Sequence, residues 1–384
     1  MILLVDMDAF YASVHLAEDK TLLGKPVLIG GDPKERRGVV TTASYEARAK
    51  GVKPPMPLWR ALKLCPDSIV IRPDFTLYKR YSAQVIEILL NYSPLVEQAS
   101  IDEAYVDVEG SFALFGDPTT IAGSIKADIR RCLNLPCSVG IGDNKLLAKM
   151  AAEIGKPDGL LVLTKQQVPE IMWPLPVREL YGVGPKTGEK LGTMGVKTIG
   201  DLAQISDNTA KGVLGKYGLA LRDAARGEGS THVDPEPKEP KSIGHQNTLA
   251  RDAYSAEEVR GLLGQQAQDI CRSLRRREMG CTVVRVGIKD KNFHYFTRQC
   301  TLWEPTSDPS VMLRSGMALL EACFPPAGIR MVGLTAAGLV KKKPDIIGSL
   351  LDAVEEKYGR GKLSLGLDPG SGDSSHDAGE SGDS

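Results

Sequence analysis

Ser100-Ile101-Asp102-Glu103-Ala104-Tyr105-Val106-Asp107-Val108 is the stretch on which the reading of the whole chain turns. Val96 and Ile101 precede the acids and Val106 and Val108 follow them, so the segment reads as a short turn entering a buried strand. Two adjacent carboxylates inside an apolar run are costly, because each loses hydration and the two repel each other. A cation must lie close by, yet the nine residues before Asp102 contain no Lys or Arg. A divalent metal ion supplies the missing charge. The other reading is a strand-end turn whose acids both stay solvated.

A second acidic cluster favours the metal. The chain opens Ile2-Leu3-Leu4-Val5-Asp6-Met7-Asp8. Residues 2–5 are continuously apolar, as expected of a central strand covered on both faces. Side chains alternate along a strand, which puts Asp6 and Asp8 on one face and Met7 on the other. A carboxylate at the end of one central strand, facing a carboxylate pair on its neighbour, makes a hard-oxygen site suited to Mg²⁺. Two such ions about 3.5–4 Å apart stabilise both oxygens of an in-line phosphoryl transfer.

Val5-Asp6-Met7-Asp8-Ala9-Phe10-Tyr11-Ala12-Ser13-Val14 and Ser100-Ile101-Asp102-Glu103-Ala104 resemble the two signature motifs of the Y-family, translesion DNA polymerases, closest to the bacterial DinB (DNA polymerase IV) branch. The resemblance is clear over residues 1–240 and weaker over 241–340. It implies an α+β multidomain fold shaped like a right hand. The palm takes residues 1–20 and 74–163, small fingers 21–73, and a helical thumb with a helix-hairpin-helix 164–232. A linker at 233–241 leads to an appended α/β little finger at 242–343, and 344–384 is a C-terminal tail, disordered in its last part.

The resemblance also implies an activity: low-fidelity, template-directed addition of dNTPs to a primer 3′-OH, past damaged bases and without proofreading. Asp6, Asp102 and Glu103 are the implied catalytic residues; with the main-chain carbonyl of Met7 they are the implied ligands of two Mg²⁺. Phe10 and Tyr11 border the nucleotide, with Tyr11 as the flat ring that leaves no room for a ribose 2′-OH; the alternative is an aromatic core residue beside Phe10. Thr42-x-x-Tyr45-x-x-Arg48 and Lys156 match residues that meet the triphosphate, and Arg suits bidentate phosphate recognition. His15 stands where the family often has Glu. Lys145 and Lys149 either face DNA or are solvated helix charges.

Leu180-Tyr181-Gly182-Val183-Gly184-Pro185-Lys186 reads as the hairpin, with Gly182, Gly184 and Lys186 at a DNA phosphate. Gly140-x-Gly142 is no dinucleotide fingerprint, since Lys145 takes the third glycine's place. Residues 228–241, rich in Pro and charge, read as an extended linker.

The 48 Lys+Arg and 48 Asp+Glu cancel overall, but unevenly. Residues 242–343 carry 15 basic and 9 acidic side chains, a net of +6; residues 344–384 carry 3 and 9, a net of −6. The basic part is the expected DNA footprint, with Arg275, Arg276, Arg285, Lys289 and Arg298 as contacts. Lys362-Leu363-Ser364-Leu365-Gly366-Leu367 resembles a degenerate sliding-clamp-binding peptide in which Lys362 replaces the usual Gln.

No run nears the roughly 20 apolar residues of a membrane span, and no secretory leader is visible. Seven cysteines without a C-x-x-C pair fit a reducing compartment and argue against a zinc site. The expected setting is the bacterial cytoplasm at the nucleoid, as a monomer on primer-template DNA. The alternatives are a non-catalytic helix-hairpin-helix DNA-binding protein, which leaves the acids unexplained, and another palm-type enzyme such as a nucleotide cyclase, which leaves the hairpin and basic domain unused.

Overall fold

The structure, a computed structural model, describes residues 1–32, 38–236, 239–342 and 346–358. The chain divides into two units, Met1–Lys238 and Glu239–Ser384. The first unit opens with β1 (Ile2–Met7), α1 (Phe10–Glu18), β2 (Val27–Gly30), β3 (Val40–Ala43), α2 (Tyr45–Ala49), α3 (Leu58–Leu64) and β4 (Ile69–Ile71). It continues with α4 (Phe75–Leu90), β5 (Val96–Gln98), β6 (Glu103–Asp107), α5 (Phe112–Phe115), α6 (Pro118–Leu133), β7 (Cys137–Gly142), α7 (Lys145–Gly155) and β8 (Leu160–Leu163). Four helices close it: α8 (Pro185–Gly192), α9 (Ile199–Gln204), α10 (Asp207–Leu214) and α11 (Lys216–Ala225).

The main sheet has the order β5-β6-β1-β7-β8, so the first strand is its centre. All six residues of β1 are buried, as the apolar run requires. Leu3, Val5 and Met7 pack with Tyr78, Val85 and Leu89 of α4 and Ile121, Ile125 and Ile129 of α6. Ile2 and Leu4 face the other way, onto Ala148 and Ala152 of α7. Asp6 follows in that even register and therefore projects on the α7 side.

The glycines of β7 let α7 come this close. A Cβ on Gly140 would stand 2.0 Å from the Ala148 carbonyl oxygen and 2.3 Å from the Ala152 nitrogen. One on Gly142 would stand 2.4 Å from the Ala148 nitrogen. The Gly-x-Gly pair is thus a helix-on-strand contact rather than a ligand loop.

Beyond the sheet, β3-β2-β4 forms a small three-stranded layer with its own core of Leu28, Val40, Ala47, Val52, Leu58 and Ala61. The helices after β8 share a core of Val177, Leu180, Leu191, Ile199, Leu202 and Leu221 with Leu147 and Met150 of α7. Residues 228–234, expected as part of an extended linker, run without helix or strand and are strapped onto the main sheet. Val233 is 4% exposed against Ile2 and Leu4, the Lys145 N–H donates to the Ser230 carbonyl, and the Asp234 N–H donates to Glu97.

The second unit contains β9 (Ser242–Ala253), α12 (Glu257–Arg275), β10 (Met279–Asp290), β11 (Tyr295–Thr306), α13 (Pro309–Ala322), β12 (Ile329–Lys341) and α14 (Ile346–Tyr358). Its sheet runs β11-β10-β12-β9. Val259, Leu263, Ala267, Ile270 and Leu274 form the buried stripe of α12, spaced three or four apart as one helix face requires. Val284, Val286 and Ile288 of β10 meet them. Residues 346–358, expected to begin a tail, form α14, ion-paired to α12 through Asp352.

Gly140→Ala is expected to destabilise the first unit by about 3 kcal/mol, the upper part of the overpacking range, because the nearest atoms are backbone. Urea denaturation checks it; a loss under about 0.5 kcal/mol would mean that α7 can move away without cost.

Candidate active site

In β6, Glu103 lies directly opposite Asp6 of β1. Asp102 occupies the turn just before, and its carbonyl accepts the Met7 N–H at 3.0 Å. The two acidic segments are therefore tied together by backbone. Asp6, Met7, Ala9, Phe10, Asp102, Glu103 and Lys156 line one cavity with Thr42, Tyr45 and Arg48. The sequence reading had the three acids meeting in one place, and the structure brings them together there.

The cation they need comes from far along the chain. Lys149 Nζ of α7 lies 3.0 Å from Asp6 Oδ2, 2.6 Å from Glu103 Oε1 and 2.6 Å from Glu153 Oε1. Its side chain is 7% exposed, so Lys149 is neither a DNA contact nor a solvated helix charge. Lys156 Nζ lies 2.8 Å from Asp6 Oδ2 and 3.0 Å from Glu153. Lys145 pairs with Glu97 and lies 4.8 Å from the Tyr105 ring centroid.

Glu153 was missed in the sequence. The signal is the Lys149–Glu153 pair four apart on α7 with Lys156 three further on, which puts all three at one side of the helix end. Asp6, Glu103 and Glu153 each place a carboxylate oxygen within 4.8 Å of the others, a donor set able to hold a metal ion.

Burial pushes the Asp6 carboxyl up, but Lys149 and Lys156 outweigh it and hold its pKa below the ordinary 3.8. Glu103 is pushed up, first by burial and further by Asp6, against the pull of Lys149. Burial works against the charge on Lys149, and Asp6, Glu103 and Glu153 overcome it, so its pKa is raised.

Asp8 lies past the end of β1 rather than in alternation with Asp6. It accepts from Ser138 Oγ at 3.0 Å, from the Asp158 N–H at 2.8 Å and from Tyr45 Oη at 3.3 Å. It therefore braces the site and anchors Tyr45, whose phenol burial and Asp8 push up to about 12. Ser44 caps α2, which starts at Tyr45, and the Arg48 guanidinium lies 5.0 Å over the Tyr45 ring, so the two share one side as spaced. Asp107, on the face of β6 that carries Glu103, accepts the Glu109 N–H at the far end of the strand.

Residues 5–153 match the impB/mucB/samB family, 165–196 the IMS family HHH motif, and 240–348 the impB/mucB/samB family C-terminal domain. The chain is 43% identical to the DNA polymerase IV of Pelotomaculum thermopropionicum, over 90% of this chain and 86% of that one. It is 38% identical to the DNA polymerase IV of Bacillus velezensis, over 94% and 91%. The chain belongs to the Y-family of DNA polymerases. It is a DNA-directed DNA polymerase of the DNA polymerase IV type. A solved Y-family DNA polymerase chimera of Dbh and Dpo4 superposes with a TM-score of 0.79 at 25% identity, over 88% of this chain and 99% of that one. The Dbh DNA polymerase in an insertion ternary complex shares the fold, with a TM-score of 0.62 at 24% identity and the same coverage.

The fold is of that family's right-hand type, and its parts take the family's labels: palm for the β1-centred sheet, fingers for β3-β2-β4 with α2 and α3, thumb for α8–α11, where the HHH motif falls, and little finger for the second unit, where the C-terminal domain falls. In the thumb, Gly182 has φ +95° and Gly184 caps α8, with Pro185 at its first turn and Lys186 exposed.

The basic residues of the little finger separate into two groups. Arg275 is 7% exposed and bonds Asp352 through Nε and Nη2, each at 2.7 Å, and the Ser307 carbonyl. It is a structural tie to α14 rather than a free DNA contact. Arg276 pairs with Glu356 at 3.2 Å. Arg285 and Lys289 share the face of β10 opposite the buried Val284, Val286 and Ile288. Arg298 stands opposite Val286, on the helix-covered side at the edge strand, over the Phe296 ring. The three strand cations therefore do not form one surface.

Asp6 and Glu153 have lowered pKa values, so their stabilisation is present at neutral pH and is lost as pH falls below their ordinary 3.8 and 4.5. Lys149→Met is expected to cost about 3 kcal/mol at neutral pH by leaving buried carboxylates unpaired. The gap to the native protein should then narrow on acidification below about pH 4. Urea midpoints across the acid range test this; a constant gap would show that Lys149 does not hold these carboxylates ionised.

Proposed function

We propose that this translesion polymerase adds dNTPs to a primer 3′-OH with low fidelity and no proofreading, and that Asp6, Asp102, Glu103 and the Met7 carbonyl hold two Mg²⁺. The observation that carries this reading is the single cavity shared by those acids with Thr42, Tyr45, Arg48 and Lys156. The donor set fits: Asp6, Met7, Asp102 and Glu103, where β1 ends and β6 begins in the middle of the sheet, line one cavity with hard oxygens beside cationic side chains. Mg²⁺ bound there supplies the charge that lowers the pKa of the primer hydroxyl and neutralises the triphosphate.

The protein's own part is positioning. Lys149 keeps Asp6 ionised and aimed at the cavity. Arg48, Tyr45 and Lys156 offer donors to the triphosphate on the finger and palm sides, with Thr42 beside them. Phe10 closes the cavity wall, and Tyr11 stands against the sugar and excludes a 2′-OH. The fingers bury only a small core, which accords with a loose hold on the templating pair and tolerance of damaged bases.

DNA contact falls to Gly182, Gly184 and Lys186 in the thumb, where helix N–H groups can meet a phosphate, and to Arg285 and Lys289 on the open face of the little-finger sheet. Arg276 and Arg298 are retained only as peripheral contacts, and Arg275 is not. The sliding-clamp contact through Lys362–Leu367 lies outside the described residues and stays a proposal on its sequence. Among the described residues no helix is long and apolar enough to cross a membrane, and we assign the enzyme to the bacterial cytoplasm, acting as a monomer at the nucleoid.

Glu103→Ala and Asp102→Ala should each lower primer extension with Mg²⁺ and dNTPs by about a hundredfold or more, while affinity for primer-template persists. Extension at the native rate by either variant would discard the assignment. Lys289→Ala should weaken DNA binding alike on all sequences and reduce the salt slope of log K by about 1, read by fluorescence anisotropy at several salt concentrations. Arg275→Ala should lower the melting temperature and leave that slope unchanged.

A further inference from the structure

We infer that His15 is a positioning residue for sugar discrimination, acting on Tyr11 through Tyr78; the inference rests on the reading of Tyr11 as the ring that excludes a ribose 2′-hydroxyl. Tyr11 and His15 are four apart on α1 and so share a helix face. That face meets Tyr78 of α4, which is 0% exposed. The Tyr78 ring lies over Tyr11 with centroids 4.2 Å apart and planes at 16°. Phe75 closes the edge of Tyr11 at 5.9 Å and 77°. Tyr78 is fixed in turn by its hydroxyl, 2.9 Å from His15 Nε2. One buried ring therefore touches Tyr11 with its face and His15 with its tip.

Exclusion by a flat ring works only while the ring cannot yield. Tyr11 begins a helix, is half buried and has no hydrogen-bonded tip of its own among the described contacts, so its orientation depends on what lies behind it. Burial lowers the His15 pKa, with Asp74 and Glu18 opposing, so the imidazole is neutral near pH 7. In the tautomer protonated at Nδ1, Nε2 accepts the Tyr78 O–H. The Glu18 carboxylate is engaged by Tyr81 at 2.9 Å and Arg80 at 2.6 Å, and the side-chain partner of the Tyr78 hydroxyl is His15.

The test is single-nucleotide insertion by the full-length protein on a primer-template duplex with Mg²⁺, comparing kcat and KM for a dNTP and the matching rNTP. His15→Leu and Tyr78→Phe remove the hydrogen bond, His15→Gln restores an acceptor, Tyr78→Leu removes the stack, and Tyr11→Ala removes the ring. His15→Leu, Tyr78→Phe and Tyr78→Leu are each expected to raise kcat/KM for the rNTP by roughly three- to tenfold, the scale of one aromatic contact, and Tyr11→Ala by more. His15→Gln should discriminate as the native enzyme does. The His15→Leu/Tyr78→Phe double variant should gain no more than either single one, because one bond is lost in all three. A gain in rNTP use cannot come from partial unfolding, which lowers both efficiencies. If Tyr11→Ala leaves the preference unchanged, the reading of Tyr11 fails and this inference with it. If Tyr11→Ala relaxes the preference while His15→Leu and Tyr78→Phe do not, the reading of Tyr11 stands and the inference is overturned. A parallel fall in both efficiencies for His15→Leu, with a lower melting temperature, would reduce His15 to packing and also overturn it.

Discussion

Lys149 holds carboxylates from three elements at once: Asp6 from β1, Glu103 from β6 and Glu153 from its own helix. Without it, Glu103 would lose its lysine and Asp6 would keep only Lys156, so the two facing carboxylates would repel more strongly. A protonated carboxyl is a poor metal ligand, so the proposed metal-binding role of these acids depends on this ammonium. It is also shielded from water, which makes the attraction strong and the loss of one partner costly.

Placing that ammonium is the task of β7. Its glycines bring the backbone of α7 against the sheet, and the alanines of α7 keep the contact flat. A helix seated one side chain further out would leave the lysine short of Asp6. The strap at 228–234 seals the far part of the same face through Val233. Packing, not propensity, thus fixes the electrostatics of the active site, and the cavity next to it collects finger residues only because α2 starts at Tyr45 with its hydroxyl on Asp8.

The little finger shows why a charge count is a poor map of a DNA surface. Its net of +6 includes Arg272 and Arg275, both tied to Asp352 of a helix drawn from the acidic end of the chain. Part of the basic excess is therefore neutralised inside the unit. Arg285 and Lys289 lie on the open sheet face opposite Gln299 and Tyr295, while Arg298, an odd number of residues from each of those partners, belongs to the other side. Alternation along β10 was legible; the pairing of β11 that assigns Arg298 its face was not.

Much of this polymerase could be read from residues in order. The apolar run of β1, the acidic pair entering β6, the Thr42, Tyr45 and Arg48 spacing and the stripe of α12 are local patterns whose period survives folding. They announced the central strand and the meeting of the acids. What the sequence could not contain is the partner of each buried charge. Glu103 meets a lysine 46 residues away and Asp6 one 150 residues away, and Arg275 an aspartate 77 residues away. Such pairs are chosen by which helix lies on which face, and a Coulomb interaction depends on distance in space rather than along the chain.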